Sequence, residues 1–296
     1  MRPVRAPLPR AALGEAPRYD AATGTLSWVD LPAGQLWLAK AAPDGPAAGW
    51  ISAPALLTTL PDPLSCAVRT RDGHWLLAAG GAVLHWDPST GAGAATVLEP
   101  DTAGARLNDG AVDADGRFWI GSMGVARPLR PWGRLHVLHG APATGPRVLR
   151  EGLLAANGIG WSPDSAITYV VDSGTRLIHR LRTDGAAGPL RAAGPPLAVP
   201  AGTPDGITVD REGCLWVALW DGGCVVRLSP DGEVLVRVDL PCSRPTACTL
   251  VGSRLLVTTA TVTGEAGSGW AYAVDVPVGG PPAHRAAPAG PPAPGG

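Results

Sequence analysis

The sequence predicts an all-β fold, a six-bladed β-propeller in which each blade is a four-stranded antiparallel sheet. Two observations predict it. A unit of short apolar strands and tight turns recurs at close to the length of a propeller blade, and six copies fit between about residues 14 and 276. No convincing amphipathic helical pattern longer than about three turns interrupts these copies.

The repeated unit is visible in two segments. VRTRDGHWLLAAGGAVLHWDPSTG begins at Val68, and TVDREGCLWVALWDGGCVVRLSPDG begins at Thr208. Each has the pattern of a β-meander, in which apolar strands are separated by Asp- or Gly-containing turns. The turn residues recur at Asp72 and Gly73, Asp115 and Gly116, Pro163 and Asp164, Glu212 and Gly213, and Asp231 and Gly232. The strand after the first turn of each unit carries a bulky side chain: Trp28, Trp75, Trp119, Tyr169, Trp216 or Leu256.

Packing between blades predicts a single domain of residues 1–276. Each sheet has two apolar faces that it cannot bury alone, so the blades pack radially and the ring closes. The residues before Glu15 are expected to add an outer strand to the last blade and so to join the chain ends. Residues 277–296 are rich in proline, glycine and alanine, and this composition predicts a disordered tail.

Composition argues against several classes of partner. The formal net charge is -1 and the basic residues form no runs, so neither nucleic acid nor an anionic membrane is an expected partner. The first ten residues lack the apolar centre of a secretory signal, and no apolar run is long enough to span a bilayer. Five cysteines without a CxxC pair are expected to be free thiols. We therefore expect a cytoplasmic protein. A monomer is the default oligomeric state, and a small-molecule substrate is the expected partner.

Four residues with oxygen donors occupy matching places in successive repeats. Glu15, Asn108, Asn157 and Asp205 are separated by 93, 49 and 48 residues, close to two, one and one blades. A closed ring brings them to its axis, together with Ser65 and a residue near Thr246. Carboxylate and amide oxygens favour one hard divalent cation, with Ca²⁺ the first choice and Zn²⁺, Mn²⁺ and Mg²⁺ as alternatives.

Turn chemistry is the competing interpretation of two of these residues. Asn157 and Asp205 each precede a glycine, a pairing typical of tight turns. However, the hairpin turns of those blades are already assigned to Asp164 and Glu212, which come later in the chain. Asn157 and Asp205 therefore come before the strand that leads into each turn. The repeat therefore favours the axial site.

Four motifs, in order and at blade spacing, resemble the SMP-30/gluconolactonase/regucalcin-like family over nearly the whole chain. They are LGEAPRYD from Leu13, RLNDGAVDADGRFWIGSM from Arg106, NGIGWSPD from Asn157 and PDGITVDREGCLWVALW from Pro204. The resemblance implies a metal-dependent propeller lactonase with one divalent cation held by Glu15, Asn157 and Asp205. It also implies that Arg106 and Asn108 contact substrate, and in related propellers the residue at Asn108 approaches the metal as well.

One departure from the family concerns the substrate. Regucalcin-type sugar lactonases carry an acidic residue just after the segment that ends here at Met123, whereas this chain has no acid before Gly133. The loop instead offers Arg127, Arg130 and Trp132. These side chains favour a substrate with an anionic or aromatic portion, and solvated loop residues are the alternative.

The expected reaction is hydrolysis of a lactone, with Asp205 positioning or deprotonating the attacking water while the cation polarises the carbonyl group. Three alternatives remain: a propeller that binds a cation or ligand without turnover, a metal-dependent isomerase or cyclase, and an esterase acting on a non-sugar substrate. The retained ligand set and Arg106 favour an enzyme, because burying charge is costly for a scaffold. The histidines at positions 74, 85, 136, 139 and 179 fall away from the predicted axis, which favours core or surface roles.

Overall fold

A computed structural model describes residues 1–43, 45, 49–99, 104–139, 145–183 and 189–288. Those residues contain 25 β-strands and no α-helix. The strands form six antiparallel sheets, five with four strands and one with a short fifth strand. The predicted six-bladed propeller is confirmed.

The blades follow one another along the chain. Blade one contains β2 (Gly14–Asp20), β3 (Thr25–Asp30), β4 (Gln35–Lys40) and β5 (Ala55–Thr59); blade two contains β6 (Leu64–Arg69), β7 (Trp75–Ala79), β8 (Ala82–Trp86) and β9 (Gly93–Val97). Blade three contains β10 (Ala105–Val112), β11 (Phe118–Gly124), β12 (Gly133–Leu138) and β13 (Arg147–Leu153).

The second half of the ring repeats the pattern. Blade four contains β14 (Ala156–Trp161), β15 (Thr168–Asp172), β16 (Leu177–Thr183), β17 (Leu190–Ala192) and β18 (Leu197–Ala198); blade five contains β19 (Thr203–Val209), β20 (Leu215–Trp220), β21 (Cys224–Leu228) and β22 (Val234–Asp239). Blade six contains β23 (Pro245–Val251), β24 (Arg254–Thr259), β25 (Tyr272–Asp275) and the N-terminal β1 (Val4–Arg5).

The ring is closed by contacts and by the N-terminal strand. Each innermost strand contacts the innermost strands of the two neighbouring blades, including β2 with β23. Strand β1 pairs antiparallel with β25, Val4 opposite Ala273 and Arg5 opposite Tyr272. The expectation that the residues before Glu15 supply an outer strand to the last blade is confirmed. We call the end of the ring at which the innermost strands begin the upper face, and the opposite end the lower face.

The second strand of each blade supplies the core between sheets. All six bulky residues predicted there are buried, from Trp216 at 0% exposed to Trp28 at 3%. Burying one large apolar side chain contributes roughly 2–3 kcal/mol. The predicted turns are present on the lower face, where Gly73 and Gly213 adopt positive φ values of 93° and 80°. A side chain at either position would strain the turn.

A bulge interrupts the first hairpin of every blade. The register of each innermost strand against its neighbour shifts near the upper face, between Glu15 and Arg18 in blade one and between Leu107 and Gly110 in blade three. Corresponding shifts occur in the other four blades. A bulge leaves residues out of the ladder and turns their side chains. At the upper end of each innermost strand, side chains therefore do not alternate regularly between the two faces of the sheet.

The C-terminal segment crosses the lower face. Residues 277–288, the first part of the predicted tail, lie against the propeller: Ala286 is 1% exposed and pairs in parallel with Thr70. Arg285 donates to Asp20 at 2.6 Å, and Ala287 N–H donates to the Gly116 carbonyl at 2.8 Å. The segment lines part of a cavity of about 180 Å³ at the lower end of the channel. Contacts thus extend past the predicted boundary at residue 276, and residues 289–296 lie outside the described part.

All five cysteines are buried and free, as predicted. None of the described segments forms a helix with the length and hydropathy that a membrane span requires.

Candidate functional site

The predicted site residues meet at the upper end of the channel. Glu15, Asn157 and Asp205 come from blades one, four and five, and each lies at the bulge of its innermost strand. The Asn157 amide donates to Asp205 Oδ1, and the charge of Asp205 acts on Glu15. Arg106 lies close enough to interact with both carboxyl groups. Ring closure therefore gathers residues that are nearly 200 positions apart in the chain.

Burial of two carboxyl groups together gives the site its main electrostatic property. Burial and the neighbouring charges of Asp205 and Asp109 raise the pKa of Glu15 well above its usual value. Burial, followed by the charge of Asp109, raises the pKa of Asp205 to about 8, although Asn157 and Arg106 oppose the shift. Two like charges out of water disfavour ionisation. A cation between them would remove this penalty.

Asn157 is held by a residue that the sequence analysis did not assign to the site. Its amide nitrogen also lies 3.1 Å from Ser173 Oγ, and that hydroxyl donates to the Pro204 carbonyl at 2.7 Å. Ser173 directly follows β15, which pairs with the strand that carries Asn157. Ser173 thus positions Asn157, and only the pairing of those strands reveals the connection.

Arg106 and Asn108 form one unit. Arg106 Nη1 donates to Asn108 Oδ1 at 2.9 Å and to the Leu107 carbonyl at 2.8 Å. The Asn108 amide nitrogen donates to the Ala156 carbonyl of the next blade at 3.0 Å. Burial lowers the pKa of Arg106, while Glu15 and Asp205 oppose that effect. Asn108 therefore fixes the guanidinium beside the two carboxyl groups.

A second charged pair lies deeper in the channel. Arg18 donates to the Gly110 carbonyl and lies 3.3 Å from Asp109 Oδ1. Arg18 also lies 3.9 Å from Cys66 Sγ, and burial raises the pKa of that thiol to about 11. Sequence analysis did not single out Arg18, because its role depends on contacts across three blades. Asp109 lies beneath the site, and its charge raises the pKa of both Glu15 and Asp205.

Close packing between blades explains the glycines after Asn157 and Asp205. A Cβ atom on Gly158 would lie 2.6 Å from the Ile207 nitrogen and 2.7 Å from the Asp205 carbonyl oxygen. A Cβ on Gly206 would collide with Ala247 of the next blade. Both glycines lie within strands, not hairpin turns. The glycines let adjacent innermost strands approach, which brings the preceding Asx side chains together.

The two remaining predicted contributors bond to the framework. Ser65 Oγ donates to the Ala78 carbonyl at 3.0 Å within its blade. Thr246 Oγ1 donates to the Gly14 carbonyl at 2.5 Å, across the junction between the last and first blades. These two hydroxyl groups stabilise the strands on either side of Glu15. The oxygen donors of the site come from blades one, four and five.

An arginine-containing loop borders the site on the upper face. Residues 125–132 connect β11 to β12, beside Arg106, which pairs with Met123 in the ladder. Burial has the largest effect on the pKa of Arg106, followed by the two carboxylates. The positive charge of Arg127 comes next and lowers that pKa. The Arg130 guanidinium lies 5.6 Å from the centre of the Trp132 ring, and Trp132 is 43% exposed. This border is positive and partly aromatic.

The donor set fits a hard divalent cation. Glu15 and Asp205 offer carboxylate oxygens, and rotation of the Asn157 amide would present its oxygen in place of its nitrogen. Burial and nearby carboxyl groups raise the pKa of both acids, and a bound cation would act in the opposite direction. No thiolate or imidazole belongs to the set among the described residues. Oxygen-only ligation is typical of calcium and magnesium.

Known proteins match the chain over most of its length. Residues 13–261 match the model of the SMP-30/Gluconolactonase/LRE-like region. A 6-deoxy-6-sulfogluconolactonase from Pseudomonas putida is 32% identical over 248 residues, which cover 83% of this chain and 81% of that protein. An L-arabinolactonase from Azospirillum brasilense is 37% identical over 263 residues, which cover 86% of this chain and 82% of that one.

A solved structure agrees with the architecture. The crystal structure of a calcium-binding protein, regucalcin, from Agrobacterium tumefaciens gives a TM-score of 0.78 at 27% sequence identity. The match covers 95% of this chain and 94% of that one, so it includes all six blades.

Proposed function

This chain belongs to the SMP-30/gluconolactonase/LRE-like family, and from that premise we propose that it is a divalent-cation-dependent lactonase that hydrolyses a sugar-type lactone. Two lactonases at 32% and 37% identity support lactone hydrolysis. The observation that carries the proposal is the convergence of Glu15, Asn157 and Asp205 beside Arg106 at one end of the channel.

Glu15, Asn157 and Asp205 would hold the cation. Ca²⁺ fits their oxygen donors, and the likeness to a calcium-binding protein supports the same ion. When bound, a divalent cation supplies Lewis-acid polarisation of a carbonyl oxygen. Glu15 serves as a ligand in this proposal, and Ser173 keeps Asn157 in place through its hydroxyl group.

Asp205 is the proposed base. Without a cation, burial and the charge of Asp109 raise its pKa to about 8, so a bound cation would be needed to keep the carboxylate ionised and able to accept a proton at neutral pH. Asp205 would accept a proton from the attacking water as the water oxygen bonds to the lactone carbonyl carbon. Asp205 would then return that proton to the ring oxygen, which leaves the carbonyl carbon as the hydroxyl group of the hydroxy acid.

Arg106 is the proposed substrate anchor. Two of its contacts use Nη1, and because a guanidinium carries five N–H donors, others remain for an oxygen of the substrate. Asn108 holds this side chain in position, with its own amide fixed by Ala156. A buried guanidinium is costly without such partners, which supports a binding role for Arg106.

We further propose that the substrate carries a negative group. The loop after β11 has no acidic residue, and it places Arg127 and Arg130 on the side of the site where Arg106 lies. The name of the Pseudomonas putida relative denotes a lactone that bears a sulfo group. An anionic substituent would be attracted to this border, and the exposed face of Trp132 offers it a flat neighbour.

The test measures acid release from a panel of neutral, sulfonated and phosphorylated sugar lactones. We expect hydrolysis by the protein supplied with Ca²⁺, loss of activity after chelation, and recovery when Ca²⁺ is returned. Asp205→Asn should abolish turnover, whereas the matched control Asp239→Asn, on the surface of β22, should keep it. Turnover that survives both chelation and Asp205→Asn would refute the mechanism, and tight Ca²⁺ binding without hydrolysis of any lactone would refute the activity.

A further inference from the structure

A cluster of metal-binding side chains lies at the lower end of blade two, at the opposite end of the blade from the proposed cation site. Asp72 lies in the turn between β6 and β7, His74 directly precedes β7, and His85 lies in β8. One ligand atom from each residue lies within 4.8 Å of those of the other two. His74 Nδ1 is 3.9 Å from Asp72 Oδ2, and the two imidazole rings are 5.1 Å apart between centres.

The register of the hairpin brings these residues together. Leu76 lies opposite His85 in the β7–β8 ladder. His74 comes two residues before Leu76 and therefore projects from the same face of the sheet, diagonal to His85. In the turn, Asp72 Oδ1 accepts hydrogen bonds from the Thr70 hydroxyl and the His74 N–H. The second carboxylate oxygen, Oδ2, is the one nearer the His74 ring.

Two nitrogen atoms of the cluster are buried without partners. His74 Nδ1 and His85 Nε2 have no hydrogen-bond partner among the described residues, although both atoms are shielded from solvent. Buried polar atoms usually have a partner, so each such case calls for a physical explanation. An imidazole nitrogen with a free lone pair is a metal ligand, and two of them share this space with a carboxylate oxygen.

We propose that Asp72, His74 and His85 form a second metal site, which takes a transition-metal ion such as Zn²⁺ or Ni²⁺. Two imidazole nitrogens and one carboxylate oxygen are a ligand set for zinc, with a fourth position left for water. Ligand atoms around tetrahedral zinc are roughly 3.4 Å apart, given bonds of about 2.1 Å. Binding thus needs the side chains to close by about 1 Å, and Asp72 is exposed in a turn where it can move.

The two sites should differ in ion preference. The axial residues offer oxygen donors, which suit Ca²⁺, whereas the blade-two cluster offers nitrogen, which Ca²⁺ binds poorly. The difference in zinc or nickel content between the unmodified protein and a cluster variant therefore reports on Asp72, His74 and His85, and calcium content reports on the axis. This second site stands independently of lactonase activity.

The test uses tag-free full-length protein that has been stripped of metal, loaded with Zn²⁺ or Co²⁺ and then dialysed. Elemental analysis should show that His74→Ala and His85→Ala each bind about one zinc per chain less than the unmodified protein. The matched control His139→Ala, an exposed histidine outside the cluster, should lose none. The visible absorption of nitrogen-ligated Co²⁺ should disappear in the two cluster variants and persist in Asp205→Asn.

Calcium binding controls for folding. Both cluster variants should bind Ca²⁺ as the unmodified protein does, because the axial residues are unchanged. If such a variant retains its full zinc content and cobalt spectrum, the proposal is wrong and the histidines serve only as packing. Equal zinc losses in His139→Ala and His85→Ala would also overturn it, because they would indicate adventitious binding to surface histidines.

Discussion

Replacing Asp205 with asparagine should stabilise the cation-free protein even as it removes the proposed activity. Burial, followed by the charge of Asp109 beneath it, raises the pKa of Asp205 to about 8 from a usual 3.8. The folded protein therefore keeps a proton at pH 7 that the unfolded chain has released. The carboxyl group thus lowers stability, and a neutral amide of the same shape avoids that loss.

The size of the effect follows from the pKa difference. At pH 7 the shift corresponds to about 4 kcal/mol, since one pKa unit is worth about 1.4 kcal/mol. We expect about half of this in Asp205→Asn, because the new amide must still find hydrogen-bond partners in the buried site. A gain of about 2 kcal/mol raises Tm by roughly 3–4 °C for a domain of this size.

The pH dependence has a definite sign. The folded-state pKa lies above the unfolded one, so stability is lost as pH rises from about 4 to about 8 and then levels off. In chelator, Tm of the unmodified protein should fall relative to Asp205→Asn across this range. Added Ca²⁺ should raise Tm of the unmodified protein and leave the variant unchanged.

Thermal unfolding followed by calorimetry at pH 5 and pH 8, with and without Ca²⁺, supplies the measurements. Asp239→Asn is the matched control, because its carboxylate is exposed and its loss should change Tm little. If Asp205→Asn lowers Tm in chelator at pH 8, the two buried carboxyl groups do not destabilise the fold and the electrostatic reasoning is refuted.

Three further predictions concern arginines. Arg106→Ala should lower kcat/KM for lactone hydrolysis by about 100-fold. Arg106→Lys should recover little of this loss, because one ammonium group cannot replace the planar guanidinium. A loss no larger than that in the surface control Arg237→Ala would contradict this prediction. Replacing Arg127 and Arg130 by glutamine should lower kcat/KM by about tenfold for sulfonated or phosphorylated lactones and leave neutral lactones unaffected, whereas equal losses would exclude charge recognition. Arg285→Ala should lower Tm by about 2–5 °C, and deletion of residues 277–296 by more, through lost bonds on the lower face; an unchanged Tm in the deletion variant would mean that the segment contributes nothing to folding.

The sequence was sufficient to predict the ring because its evidence repeats. Turns like the one at Gly213 recur in successive blades, and each blade has one large buried residue equivalent to Trp216, so an error in one copy is corrected by the others. The same repetition placed Asn157 and Asp205 at equivalent positions. Their contact in the structure follows from that equivalence once the ring closes.

Features that depend on register or on contacts between blades could not be predicted. Ser173 reaches Asn157 through the pairing of β14 with β15, and Arg18 reaches Asp109 across the channel. Composition also gave no indication that residues 277–288 would lie against the lower face, because backbone hydrogen bonds hold much of that segment. The pairing of His74 with His85 likewise depends on the register of one hairpin.

The bulges link the fold to the chemistry. In a regular strand, side chains alternate between the two faces of a blade and seldom converge on the channel axis. A register shift at the upper end of all six innermost strands breaks that alternation where Asn108, Asn157 and Asp205 occur. Polar residues buried at this position cost stability, as the raised pKa of Asp205 shows. A propeller that served only as a scaffold could fill the same positions with neutral side chains, so the retained carboxyl groups argue that their charge is used.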